Sequence, residues 1–226
     1  MKLSSTIFAL LCSCCLHLHA QELSYEQMKD SLNAANEELA KQPDNIDFRL
    51  KKASWNMMLG QWTYAQKEYD LILERTPNNI SALYFRAFTY MKQGKYKEAC
   101  DGYREVLKIT PRNFDAQLGL ALANQKDFKY TDAMNDINLL VEQYPDSALA
   151  YAARGGIEME RDLLEPAEYD YSQAIRLDSG NTDYLLNRFD VRIRMGRKEE
   201  AKSDLDRMVE LGVPKAALAE FYALCK

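Results

Sequence analysis

Gly94-Lys95-Tyr96-Lys97-Glu98-Ala99-Cys100-Asp101-Gly102-Tyr103, with Pro111 eight residues further on, decides the fold. Steps of 34 residues from Ala99 land on alanine each time: Ala65, Ala99, Ala133, Ala167 and Ala201. Five residues before each alanine stand Gly60, Gly94, Phe128, Asp162 and Gly196, turn formers except for Phe128. Four residues after it, one helical turn along the same face, come Tyr69, Tyr103, Ile137, Tyr171 and Leu205. Pro77, Pro111 and Pro145 then close the second helix, since proline cannot continue one. Ser179 and Val213 replace proline in the last two windows, where Gly180 and Gly212 supply the stop.

Five windows therefore tile the chain without insertion: 46–79, 80–113, 114–147, 148–181 and 182–215. Each reads as helix, tight turn, helix. Ahead of them, Tyr25, Met28, Leu32, Ala35 and Leu39 make an apolar stripe that predicts one helix from Ser24 to Gln42, stopped at Pro43. Behind them, Leu218, Phe221, Tyr222 and Cys225 predict a short helix over Ala216–Cys225 that covers the open face of the fifth window.

The pattern resembles the tetratricopeptide repeat (TPR), with its fixed 34-residue period and its Ala, aromatic and Pro positions in the second helix. In the second window the matching residues are Leu83, Arg86, Ala87, Tyr90, Ala99, Tyr103 and Pro111. The small position of the first helix recurs as Ala53, Ala87, Ala121 and Gly155. The resemblance covers Ile46 to Lys215. It implies an all-α, right-handed solenoid of helix-turn-helix hairpins, five repeats plus flanking helices. The implied organisation is a signal peptide at 1–20, an N-terminal helix region at 21–45, repeats at 46–215 and a capping helix at 216–226. Two departures carry expectations. Phe189 in the small position should splay or repack the fifth repeat. Pro166 is tolerable only in the first turn of its helix.

The first twenty residues stand outside this scheme. Lys2, an apolar run from Ile7 through Leu16, and Ala20 read as a secretory signal with cleavage after Ala20. This predicts export to the periplasm or cell envelope. A second reading stays open: Leu11-Cys12-Ser13-Cys14 resembles a lipobox, and lipidation at Cys14 would tether the domain to a membrane.

The whole chain has 226 residues and a net charge of −5, which excludes a basic nucleic-acid footprint. Both histidines, His17 and His19, fall within the expected signal. What remains cannot build a Ser-His-Asp or Cys-His site, and it lacks the commonest zinc ligand. Cys100 and Cys225 are expected to be free and buried, and no phosphate-binding glycine loop is present. The sequence therefore predicts no enzyme, no cofactor, no metal and no small-molecule substrate, but a protein or peptide partner.

Cations recur in the first helix at Lys52, Arg86, Arg154 and Arg188. Sixteen residues later stand Glu68, Asp170 and Asp204 opposite three of them, with Gly102 opposite Arg86. The complete pairs are predicted to clamp the two helices of a repeat. In the third repeat Leu120 leaves Asp136 without a basic partner.

In the TPR family the first helix of each repeat lines the concave side. That resemblance places Leu50, Ser54, Met57 and Met58 there in repeat one, and Tyr84, Phe88, Met91 and Lys92 in repeat two. It adds Leu118, Leu122, Gln125 and Lys126 in repeat three. Repeats four and five offer Ala152, Gly156, Met159 and Glu160, then Leu186, Asp190, Ile193 and Arg194. The first three repeats make an apolar groove suited to a protein segment, with aromatic anchors at Tyr84 and Phe88. For Met57, Met58 and Leu118, burial against a neighbouring repeat is an equal alternative. The lysine, asparagine and arginine clamp with which some TPR proteins hold a peptide carboxylate is missing. Leu50, Ser54, Phe85, Asp115 and Gly119 stand at its positions.

Overall fold

The structure, a computed structural model, describes residues 23–226. The expected signal segment and the lipobox-like run lie outside the described residues. Among those described, all regular structure is helical: α1 (Tyr25–Lys41), α2 (Ile46–Met58), α3 (Trp62–Arg75), α4 (Ile80–Lys92), α5 (Tyr96–Ile109), α6 (Phe114–Lys126), α7 (Tyr130–Gln143), α8 (Ala148–Glu160), α9 (Leu164–Leu177), α10 (Thr182–Arg194), α11 (Lys198–Glu210) and α12 (Ala219–Leu224). A 3-10 turn, Lys215–Leu218, precedes α12. None of these helices is long and apolar enough to cross a membrane.

Two compact units form, one ending at Arg75 and one running from Thr76. The first packs α1 on α2 and α2 on α3. The second packs α4 to α11 in chain order. Within it α4, α6, α8 and α10 also touch one another in sequence, so the first helices of the repeats form one continuous face.

Local chemistry sets each helix start. Asn45, Asn79, Asn113, Ser147 and Asn181, again 34 apart, cap α2, α4, α6, α8 and α10. Each side-chain oxygen accepts from a backbone N–H two or three residues on, satisfying a donor the helix leaves open. The capped helices end in identical turns. Gly60, Gly94, Phe128, Asp162 and Gly196 all have φ between 60° and 75°. The following N–H then reaches back to the carbonyl of Asn56, Tyr90, Asn124, Glu158 or Arg192 at 2.8–3.0 Å. Phe128, which breaks the turn pattern in sequence, thus makes the same turn in a backbone region unfavourable to a bulky side chain.

The five ruler alanines are fully buried, and Tyr69, Tyr103, Ile137, Tyr171 and Leu205 are buried with them. Glycines permit close helix approach at the small position of repeat four and elsewhere on the first helix of repeat three. A Cβ on Gly155 would lie 3.3 Å from the Ala167 carbonyl oxygen, and one on Gly119 would meet the ring of Tyr103 at 2.5–2.8 Å. Phe189 is repacked: its buried ring joins Leu205, Met208 and Leu218 and meets Phe221 edge-on at 5.5 Å. Pro166 is the third residue of α9, inside its first turn.

Three expectations are corrected. The C-terminal cap is not one helix over 216–226 but a 3-10 turn followed by α12, because Pro214 enters it in an extended conformation. Gly212, at φ 98°, does end α11, but Gly180 does not end α9, which stops at Leu177. Cys100 is buried, whereas Cys225 is only half-buried; both thiols are free.

Candidate functional site

In the first unit, α2 carries Leu50, Ser54, Met57 and Met58. Leu50 and Met57 are half-buried, Ser54 and Met58 exposed. The Tyr69 hydroxyl lies 3.0 Å from the Met57 sulfur, and burial pushes its pKa up to about 12. Met57 is thereby tied to the core, while Met58 stands free of it.

In the second unit, α4 carries the aromatic group. Tyr84 packs edge-on against Phe85 at 5.2 Å and leans on Tyr103 at 5.7 Å. Phe88 lies one turn on, half-exposed, with the Lys92 ammonium 5.2 Å from its ring centre. Met91 is half-exposed beside them. Tyr84, Phe88 and Met91 therefore share a face of one helix, held from behind by a buried tyrosine.

Repeat three contributes less open surface. Leu118 and Leu122 pack against the core of Ala121, Ile137, Leu140 and Ile157. Gln125 is buried, with its amide nitrogen 2.5 Å from Glu160, and Lys126 reaches the same carboxylate at 3.0 Å. These two side chains tie α6 to α8. Further along the face, Ala152 and Gly156 are buried, and Asp190 is half-buried with its pKa raised by loss of solvent.

The recurring cations are structural. Lys52 pairs with Glu68 at 2.7 Å, Arg154 with Asp170 at 2.6 Å and Arg188 with Asp204 at 2.6 Å. Arg49 joins Lys52 on Glu68. Arg86, opposite Gly102, reaches Glu105 instead, at 3.2 Å. The carboxylate of Asp136 finds Asn124, whose amide donates to it at 2.7 Å while its oxygen faces the Cys100 thiol at 3.2 Å. Burial raises the Cys100 pKa to about 11, so the thiol is an inert core group.

Two features escape a sequence reading. One is the position four after the recurring cation position, Asn56, Tyr90, Asn124, Glu158 and Arg192, from which Asn124 and Arg192 reach the second helix. The other is Phe128, 77% exposed on its strained turn and edge-on to Tyr130, whose ring carries Arg161 at 5.8 Å. The 34-residue ruler itself is the signal that would have flagged both positions.

Among the described residues no three His, Cys, Asp or Glu side chains converge as metal ligands.

Residues 87–127 match a family model described as a TPR repeat, and residues 115–147 match one described as a tetratricopeptide repeat. No curated protein matches the chain. Solved structures with the same fold include a tetratricopeptide repeat protein from Parabacteroides merdae, 20% identical, covering 91% of this chain and 86% of that one with a TM-score of 0.71. The TPR protein TTC0263 of Thermus thermophilus is also 20% identical, over 80% of this chain and 98% of that one, with a TM-score of 0.64. YrrB, a TPR protein with an unusual peptide-binding site, is 19% identical over 80% and 93%, with a TM-score of 0.56. Residues 87–147 thus carry matched tetratricopeptide repeats, and the ruler on either side of them and the shared solenoid fold support a TPR-family protein.

Proposed function

We propose that this chain is a non-enzymatic adaptor of the cell envelope that holds a peptide or protein segment on the first-helix face of its second unit, anchored at Tyr84, Phe88 and Met91. The TPR fold is that of a protein–protein interaction module. The carrying observation is the half-exposed Tyr84–Phe88 row on α4, backed by Tyr103 and flanked by Lys92. A rigid aromatic pair with a neighbouring thioether suits apolar side chains of varied shape. The peptide-binding site of YrrB supports the same class of occupant.

The test is a captured envelope partner, its binding segment mapped and measured against wild type, Phe88→Ala and Tyr84→Ala/Phe88→Ala. Loss of two anchors, at about 1–2 kcal/mol each, weakens Kd at least tenfold. Phe88→Ala leaves far-UV circular dichroism unchanged and still weakens binding. Equal affinity for all three proteins overturns the assignment.

Export rests on Lys2, the apolar run from Ile7 and Ala20. An intact mass starting at Gln21 supports a released envelope protein. A lipidated start at Cys14 supports the second reading, a membrane-tethered TPR scaffold.

A further inference from the structure

In repeats three and five, the residue four after the first-helix cation position donates a hydrogen bond across the hairpin to the acidic position twelve residues on. Asn124 Nδ2 donates to Asp136 at 2.7 Å, and Arg192 Nη1 donates to Asp204 at 2.9 Å. Repeat four puts Glu158 in that place, opposite Asp170. The two carboxyls are in hydrogen-bonding contact, although Asp170 already holds Arg154 through both oxygens, at 2.6 and 2.8 Å. Glu158 is only 7% exposed and forms no ion pair among the described residues. As a carboxylate it would keep a buried Oε2 with no partner and set two acceptors against each other.

We propose that Glu158 is protonated in the folded protein and donates to Asp170 the hydrogen bond that Asn124 and Arg192 donate in the adjoining repeats, so that repeat four is a proton-held joint between α8 and α9.

The surrounding groups support this from every side. Arg154, on α8 itself, is committed to Asp170 and to the neutral Asn138 of α7. From α9 come Asp170 and the buried hydroxyl of Tyr171, whose pKa is raised by burial and by Asp190, Glu158, Glu160 and Asp170. From α10 come Asp190 and Arg192, and Arg192 is engaged by Glu168 and Asp204. Glu160, two residues on, is held by Gln125 and Lys126 of α6. Burial, then the Asp170 charge, push the Glu158 carboxyl up to about 8, against the pull of Arg154.

The sign of the linkage follows. Between the ordinary glutamate value of 4.5 and about 8, the folded chain keeps a proton that the unfolded chain has released. Stability from this group is greatest at the acid end, falls as pH rises through that window and is level above it. One proton corresponds to about a tenfold rise in the unfolding constant per pH unit.

The test is denaturant unfolding of the full chain and of Glu158→Gln between pH 5 and pH 9. Glutamine keeps a donor for Asp170 and removes the titration. The unfolding constant of wild type should climb relative to the variant by about a hundredfold or more by pH 8, then run parallel. Parallel curves at every pH overturn the proposal. A second readout needs no variant: the Glu158 side-chain carboxyl carbon, followed by NMR in the wild-type protein. A midpoint above pH 6.5 supports the proton-held joint, and a midpoint in the ordinary glutamate range overturns it.

Discussion

In repeat two, α4 and α5 meet at Ala87 and Gly102, where a Cβ added to Gly102 would lie 2.8 Å from Ala87 Cβ. In repeat four, α8 and α9 meet across Arg154 and Asp170, whose guanidinium and carboxylate share two hydrogen bonds. Gly102 and Asp170 occupy the same place on the 34-residue ruler, and so do Arg86 and Arg154. Repeat two brings backbones together and leaves no room for an acid, so Arg86 turns outward to Glu105 on the more exposed flank. Repeat four keeps the acid, with its side chain 2% exposed, and adds the Glu158 carboxyl behind it. One hairpin is closed by van der Waals contact and the other by a desolvated charge. The two should therefore fail differently: the first under added volume, the second under lost charge.

The largest effect is expected at Asp170. Asp170→Ala strands the Arg154 guanidinium and removes the acceptor that Glu158 needs. An uncompensated, largely buried charge costs about 3 kcal/mol or more. For a chain of this size that is a fall in Tm of about 6–12 °C, measured by calorimetry. A change under about 1 kcal/mol would place repeat four in the same class as repeat two.

Gly102→Ala is the matching stress on repeat two. Helix propensity alone favours alanine by about 1 kcal/mol. The Ala87 Cβ is the contacting atom and has no rotamer through which to yield, so the helices must part, at about 1–3 kcal/mol. The net expectation is a loss of about 1 kcal/mol, read from denaturant midpoints. A stabilised variant would show that α4 and α5 can separate freely, and the contrast with repeat four would lose its basis.

Much of this was legible beforehand. The ruler places Ala99, Tyr103 and their counterparts in the core, and the spacing of sixteen names Lys52–Glu68, Arg154–Asp170 and Arg188–Asp204 as pairs. Those relations survive because they repeat. The Glu158–Asp170 contact was not legible, because its counterparts are asparagine and arginine: the donor is conserved in role across repeats, not in residue type. The turn at Phe128 hid for the same reason, since five equal backbone turns are built from three kinds of residue. The aromatic face on α4 was named from family geometry. What the chain pattern could not supply is that Gln125 and Lys126 are used up between repeats by Glu160, a residue 34 or 35 positions away that family geometry had placed on the same concave face.

The smallest expected effect is at Glu105, and it sharpens the comparison most directly. Glu105 pairs with Arg86 as Asp170 pairs with Arg154, but its side chain is 47% exposed. Water screens that pair and rehydrates either partner when the other is removed, so Glu105→Gln should cost less than about 1 kcal/mol. The small loss should shrink further in high salt, because exposed charges separated by solvent are screened within a few ångströms at high ionic strength. The loss at Asp170→Ala should persist under the same conditions, since salt does not reach a carboxylate closed off between α8 and α9. Denaturant midpoints of both variants at low and high salt give the answer. If the Glu105→Gln deficit matches that of Asp170→Ala and resists salt, closure of repeat two rests on its charge after all and not on the Ala87–Gly102 contact.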